Sequence, residues 1–411
     1  MQGSAAFRVA VAPGGALAGP WVRNSLWTAA RAVPSLDLRF VDNKSQIDAV
    51  TGQQLVTFTR ASSGTFVDSA GTLQTAATDV PRFDHNPATG ESLGLLVEEQ
   101  RTNLALNTVL AGGTTPTSWS LGSANVPTVA SSIYGNSDGG IALSFATNAD
   151  RNFIIQTVAL AANTTYVFSV LVESFVNITS ANSNVLSLNN APAGSTITGA
   201  SGNPAVGQRI TTTVAVGATA GNVQIRIGLG VGSNTTGTII LSRPQLEAGA
   251  FPTSYIPTTT AAATRAADVA DLISQAIANN IRTLYVEFRS PASGTRGVVS
   301  VNDNTANKRV NVLTSGTDPR LVVVDGGVEQ ANVNGGTVTA NQRTRVAARI
   351  VANDFANSIN GGAVVTDTSG TLPTVDRLML GRTQAGEYLN GTIARIVGWD
   401  TARPDLQSLT Q

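Results

Sequence analysis

His85, in the turn-flanked stretch FDHNP, is the single histidine of the 411 residues, and there is no cysteine. A histidine-dependent triad or a multi-histidine metal site would have to be built around this one imidazole. Local hydrogen bonding to the backbone beside the turn explains it as well. Without thiols the chain has no disulfides, thiolate catalysis or cysteine-based zinc site. Glu98 and Glu99 are adjacent, so in a strand they point to opposite faces and cannot flank one glycosidic bond as a carboxylate pair must. The run GLGVGSNTTG has the look of a phosphate loop, but a strand-like segment follows it, so no helix N-terminus is offered to a phosphate; it reads as a long hairpin turn. VNDNTANK and VANDF carry oxygen ligands suited to calcium, and ordinary β-turns account for them equally well. No other cofactor is implied.

Sugar recognition needs an aromatic face with polar groups beside it. Aromatic residues are only 5% of the chain. Trp119, Tyr134, Tyr388 and Trp399 fall near turns or strand ends, and for each the ordinary alternative is core packing, most of all for Trp399 in RIVGWD. Tyr388, in TQAGEYLNG, is the best ligand-facing aromatic. Arg382, Glu387 and Asn390 accompany it in one loop and complete a candidate glycan site.

These groups sit in a chain whose charged residues make up 13%, about half the usual share. Net charge is zero and the isoelectric point about 6.6, so nothing marks a nucleic-acid surface. The bases are almost all arginine; Lys44 and Lys308 are the lysines. No apolar run approaches the length of a membrane span. AAFRVAVAPGGALAGP lacks the basic start of a secretion signal and is broken by Gly and Pro, which points to synthesis in a cytoplasm.

Residues 1–34 form a separate arm. In PWVRNSLWTAARAVP, Val22, Leu26, Ala29 and Val33 fall near one helical face, with Pro20 and Pro34 as its bounds. The arm is either a surface helix on its own domain or a docking element that offers Trp21 and Trp27 to a partner. From Leu36 the pattern turns β: LVTFTR, GTFVDSAGTLQT and PRFDHNPATGESLGLLVEE predict a strand and two hairpins over 35–103. In the last strand Leu93, Leu95 and Val97 should share one face, opposite Leu96 and Glu98. Residues 104–250 carry regular strands without helical period (NFIIQTVAL, TTYVFSVLVESF, GTIILSRPQLE), and 280–411 repeat the style (RTLYVEFRS, LVVVDGG, GTIARIVGWD). Both predict β-sandwiches, so the fold class is all-β. Between them, 251–279 reads as a Pro-fixed connector, with Phe251, Tyr255 and Ile256 packed on the sandwich, followed by a weak helical patch in DVADLISQAIANN.

The block FTRASSGTFVDSAGTLQTAATDVPRFDHNPATGESLGLLVEEQRTNL resembles one shared by bacteriophage virion fibre and spike proteins, head or tail. RPQLEAGAFPTSYIPTTTAAATRAADV resembles the segment that closes a carbohydrate-binding-module-like jelly roll in such proteins. SINGG, LMLGR and YLNGTIARIVGWD resemble concanavalin A-like, laminin G-like sandwiches. The resemblance implies a virion-surface location, a homotrimer, capsid or tail proteins as partners through the arm, and adhesion to host surface polysaccharide without bond cleavage. A purely structural decoration protein is the competing class, and a polysaccharide depolymerase a third. Helix-dominated far-ultraviolet circular dichroism would contradict the all-β expectation.

Overall fold

The alternating strands predicted from sequence all form, but they are shared out differently between domains. The computed structural model describes residues 25–122, 126–134, 142–146, 152–176, 185–199, 205–229, 238–291 and 294–411. The chain is nearly all β. Among the described residues no helix is long and apolar enough to cross a membrane.

The segment 35–103 is not a separate fibre domain. Its strand Leu36–Arg39 pairs antiparallel with Gly391–Trp399, as does Ser92–Val97 farther along the same partner, and Phe83–His85 extends that sheet. Thr57–Thr59 instead joins the opposite sheet, through Val269–Ile273. An eight-stranded and a seven-stranded sheet thus enclose one core in which Leu36, Phe40 and Val97 pack with Leu284, Val312 and Ile396. This outer sandwich takes its strands from both sides of the 104–250 region. The alternation within each strand says which side chains turn inward, and nothing about which strand lies alongside.

Residues 104–250 form the second sandwich, with sheets of six and four strands around Phe145, Phe168, Ile225 and Leu246. Trp119 belongs to this core, and its indole N–H donates to the Leu106 carbonyl (3.0 Å). The jelly roll is therefore an insertion. The chain leaves the outer sandwich along Arg101–Asn103 and returns along Ala263–Arg265, and these two strands pair antiparallel as a neck.

Two further readings change. VADLI is a strand, not part of a helix: Ala270 and Leu272 are buried while Val269, Asp271 and Ile273 are not, a period of two, and the helix is confined to Gln275–Ala278. Leu93 does not share a face with Leu95 and Val97. Asp84 pairs with Gly94 but His85 pairs with Ser92, so Leu93 is the extra residue of a β-bulge and turns to the side of Leu96. Gly94 permits this with φ +102°, and a Cβ there would sit 2.1 Å from the Ile393 carbonyl oxygen.

The arm's helix, Ser25–Ala30, lies on the outer sandwich, where Leu26 and Ala30 pack with Tyr285, Val397, Trp399 and Leu406. Trp399 is fully buried, as expected, and donates to the Ala32 carbonyl. Trp27 is half-buried; its indole N–H donates to Asp37 (2.9 Å) and Arg39 lies over its ring. Asp37 also accepts from Arg39 and Arg395, and, against the effect of its burial, these guanidiniums hold its carboxyl below the usual range. Trp27 is thus committed within its own chain. Val33 is exposed, and Trp21 and Val22 lie outside the described residues.

Replacing Gly94 by Ala forces a side chain against the central strand of the outer sandwich. The variant should lose more than about 2 kcal/mol of stability, read as a lower urea midpoint at unchanged slope.

Candidate functional site

The residues named from sequence are not brought together as an open site. Arg382 donates through Nη2 to both carboxylate oxygens of Asp271 (2.7 Å each), and the Glu387 carboxylate accepts from Thr383 Oγ1 (2.7 Å). Asn390 is buried, with φ +50°, and caps the Glu99 amide (2.9 Å). Tyr388 is half-buried, packs on the core and pairs with Arg382 in an isolated β-bridge. Glu387 closes the loop on itself, while Arg382 and Asn390 tie it to Asp271 and to the Glu99 backbone, so three of the four candidates are engaged within the fold.

The other chemical motifs are likewise absorbed. His85 is buried, with Nδ1 2.9 Å from the Val67 carbonyl. In VNDNTANK the Asn302 and Asp303 oxygens accept turn amides, and in VANDF Asp354 pairs with Arg349. Among the described residues no group of three His, Asp or Glu side chains is placed to hold a metal ion. The loop GLGVGSNTTG lies mostly outside the described residues.

What the chain does assemble is a buried charge cluster where the sandwiches join. Arg82 reaches Glu98 (2.8 Å) and Asp268 (2.5 Å), Arg60 reaches Asp268 (3.2 Å), and Arg265 reaches Glu98 (2.7 Å). All five side chains are buried. Ser254, from the connector, donates both its amide (2.7 Å) and its hydroxyl (2.6 Å) to Glu98. Burial would raise the Glu98 carboxyl, but Arg265, Arg82 and Ser254 together hold it at about 2.

The connector is also pinned to the jelly roll by the strand that precedes it. In QLE the Leu246 side chain enters the core, while Gln245 and Glu247, two residues apart, turn together toward the connector. Glu247 accepts from the Thr253 amide (2.8 Å) and hydroxyl (2.7 Å), and Gln245 accepts from the Ile256 amide (2.7 Å). Tyr255 and Ile256 are buried, as expected, and Phe251 lies between Arg101 and Arg296. A segment that reads as a linker is a fixed joint.

Beside this joint lies a cleft of about 540 Å³ with walls from both sandwiches. The outer sandwich supplies Phe66, Leu93 and Leu96, the last two on one side because of the bulge, together with Asp84 and Thr392. The jelly roll supplies Leu171, Arg209 and Arg243, and the connector lies along the cleft between them. Tyr134, outside the cores, sits at the rim: its carbonyl accepts from Leu73 and Arg243, and its hydroxyl lies against Gly207. Burial lifts the Asp84 carboxyl to about 6, although the Val67 amide donates to it (2.7 Å). Its neighbours in sequence show no charge pattern that could have singled this cleft out; the bulge glycine and the QLE spacing are the local signals for it.

The arrangement defines an all-β protein in which one sandwich is inserted into another, with a composite cleft at their junction. No protein-family model and no curated protein matches the chain. Among solved structures it is similar to the CBM40 domain of the Ruminococcus gnavus IT-sialidase bound to α2,3-sialyllactose, at 17% identity over 31% of this chain and 80% of that one (TM-score 0.28). Domain 4 of AbnA, a GH43 arabinanase from Geobacillus stearothermophilus, in complex with arabinotriose, is similar at 16% identity over 39% and 82% (TM-score 0.28). The NanB sialidase of Streptococcus pneumoniae is similar at 15% over 34% of this chain and 26% of its own (TM-score 0.29).

Two titrations follow. Glu98 has its folded pKa below the ordinary 4.5, so its contribution is complete above that pH and is lost as pH falls toward 2. Glu98→Gln should cost about 3–5 kcal/mol at pH 7 and flatten this acid limb in urea unfolding followed against pH. Asp84 has the opposite sign. Its raised pKa means a contribution present below 3.8 and lost as pH rises through about 6. Asp84→Asn should be more stable than the parent at pH 7, with the difference vanishing below pH 4.

Proposed function

We propose that the chain is a bacteriophage virion fibre or spike subunit that presents two joined β-sandwiches and adheres to host surface glycans without cleaving them. One observation carries this reading. The two blocks that resemble virion fibre proteins, remote in sequence, meet in a single buried cluster: Arg60, Arg82 and Glu98 come from the first block, Ser254, Arg265 and Asp268 from the second. The resemblance therefore falls on a physical unit, the joint that fixes one sandwich against the other. A fixed joint suits a projecting protein, because it holds the cleft open at a set orientation.

The cleft supports adhesion better than the Tyr388 loop does. It combines half-buried apolar side chains, Phe66 and Leu93, with guanidinium and hydroxyl groups, the mixture a pyranose ring with apolar faces and polar edges calls for. Weak single contacts are sufficient when many copies act together on one particle. The internal engagement of Arg382, Glu387 and Asn390 favours a second reading, a structural decoration protein that binds no sugar.

Virions labelled with antibody to residues 280–400 should carry the label at their surface, and the recombinant chain should compete with virions for host cells. Surface label without competition favours the decoration protein. Absence of label from virions sinks both readings.

A further inference from the structure

Arg209, half-buried in the cleft wall, differs from the buried arginines of the joint. Arg60, Arg82 and Arg265 each meet Glu98 or Asp268, whereas Arg209 has no carboxylate within ion-pairing distance among the described residues. Its Nε donates to Ser169 Oγ (3.0 Å), its Nη2 to the Arg243 carbonyl (3.3 Å), and its guanidinium stands 6.0 Å from the Tyr255 ring. Among the described residues Nη1 has no hydrogen-bond acceptor. Burial draws the guanidinium down to about 10, so it stays charged at neutral pH. A cation set into a cleft wall carries a desolvation cost; Glu247 offsets part of it through space without forming an ion pair, and an anion in the cleft would offset more of it.

The facing domain offers an independent sign. Thr392 is 4% exposed and lines the same cleft, and among the described residues its hydroxyl has no hydrogen-bond partner. A buried hydroxyl without a partner costs free energy that a ligand's oxygen would return. The remaining charged groups lining the cleft are Arg243, Arg289 and Asp84, and Arg289 is paired with Glu91 (2.8 Å). The half-buried Phe66 and Leu93 give the ligand an apolar surface to lie on.

We propose that the cleft between the sandwiches binds a saccharide bearing a ring carboxylate, a uronic acid unit, with Arg209 as partner of the carboxylate and Thr392 as a hydrogen-bonding group. This rests on the adhesion reading and names its ligand class. The probes are methyl β-D-glucuronide and methyl β-D-glucoside, which differ at one carboxylate, titrated into the full chain by calorimetry or NMR. The parent should prefer the glucuronide by about tenfold or more, the range of one charge-assisted contact. Arg209→Gln should erase that preference, and Arg209→Lys should keep part of it. Thr392→Val should weaken both ligands about three- to tenfold and leave their ratio unchanged. Urea midpoints for the variants show that each is folded. Equal affinity of the parent for both probes, binding of neither, or a preference that survives Arg209→Gln overturns the proposal. Adsorption competition by the recombinant chain would still stand in those cases, so the adhesion reading falls only by its own test.

Discussion

Three guanidiniums sharing two carboxylates in a buried junction impose the geometry on which the rest of the molecule depends. Only 13% of the residues are charged, yet five of them are buried together at one point. Removing such charges from water is costly, and the cost is offset only where every carboxylate oxygen and most guanidinium nitrogens find partners. Arginine suits this because its planar fork can serve several acceptors at once; Arg60 reaches Asp268 and also the carbonyls of Ser62, Ala77 and Val80. Glu98 is bound to Arg82 on its own sandwich, to Ser254 of the connector and to Arg265 at the neck. All five charges belong to the outer sandwich and the neck, and a shift of the connector would take from Glu98 the two hydrogen bonds that Ser254 donates. Packing of apolar faces alone tolerates sliding; this cluster does not.

The cleft is a by-product of that constraint and has no existence in either sandwich alone. Its apolar wall depends on a one-residue bulge at Leu93 and Gly94, its cationic wall on a jelly-roll strand, and its floor on a connector held by Gln245 and Glu247. The Tyr388 loop shows the opposite economy: its polar side chains are engaged by Thr383, Asp271 and the Glu99 amide and leave little for a partner.

Strand positions were readable because alternation is a local property, recorded in a few adjacent residues. RTLYVEFRS and GTIARIVGWD became central strands where the pattern placed them. Partnership was not readable, since Leu36–Arg39 would alternate in the same way in any sheet. The connector misled because Pro, Thr and Ala are typical of loose linkers, while the groups that fix it, Glu98, Gln245 and Glu247, lie on other elements. The cleft was hidden for the same reason. Arg209 looks like any strand arginine until its lack of an ion pair among the described residues is known, and strict alternation puts Leu93 on the wrong face because Leu93 is itself an extra residue in the ladder.

The paired neck has a consequence for how the chain comes into being. Asp37 and its partner Arg395 are 358 residues apart, so the outer sandwich cannot close its central sheet until nearly all of the chain has been made. The jelly roll has all its strands between 104 and 250 and can collapse earlier, while the ribosome is still adding its host. Once folded, it brings Arg101–Asn103 and Ala263–Arg265 side by side, which replaces a flexible span of about 160 residues with a short, rigid bridge. The guest thereby acts as an internal template for its host: it shortens the search that the outer strands face and presents their first correct pair.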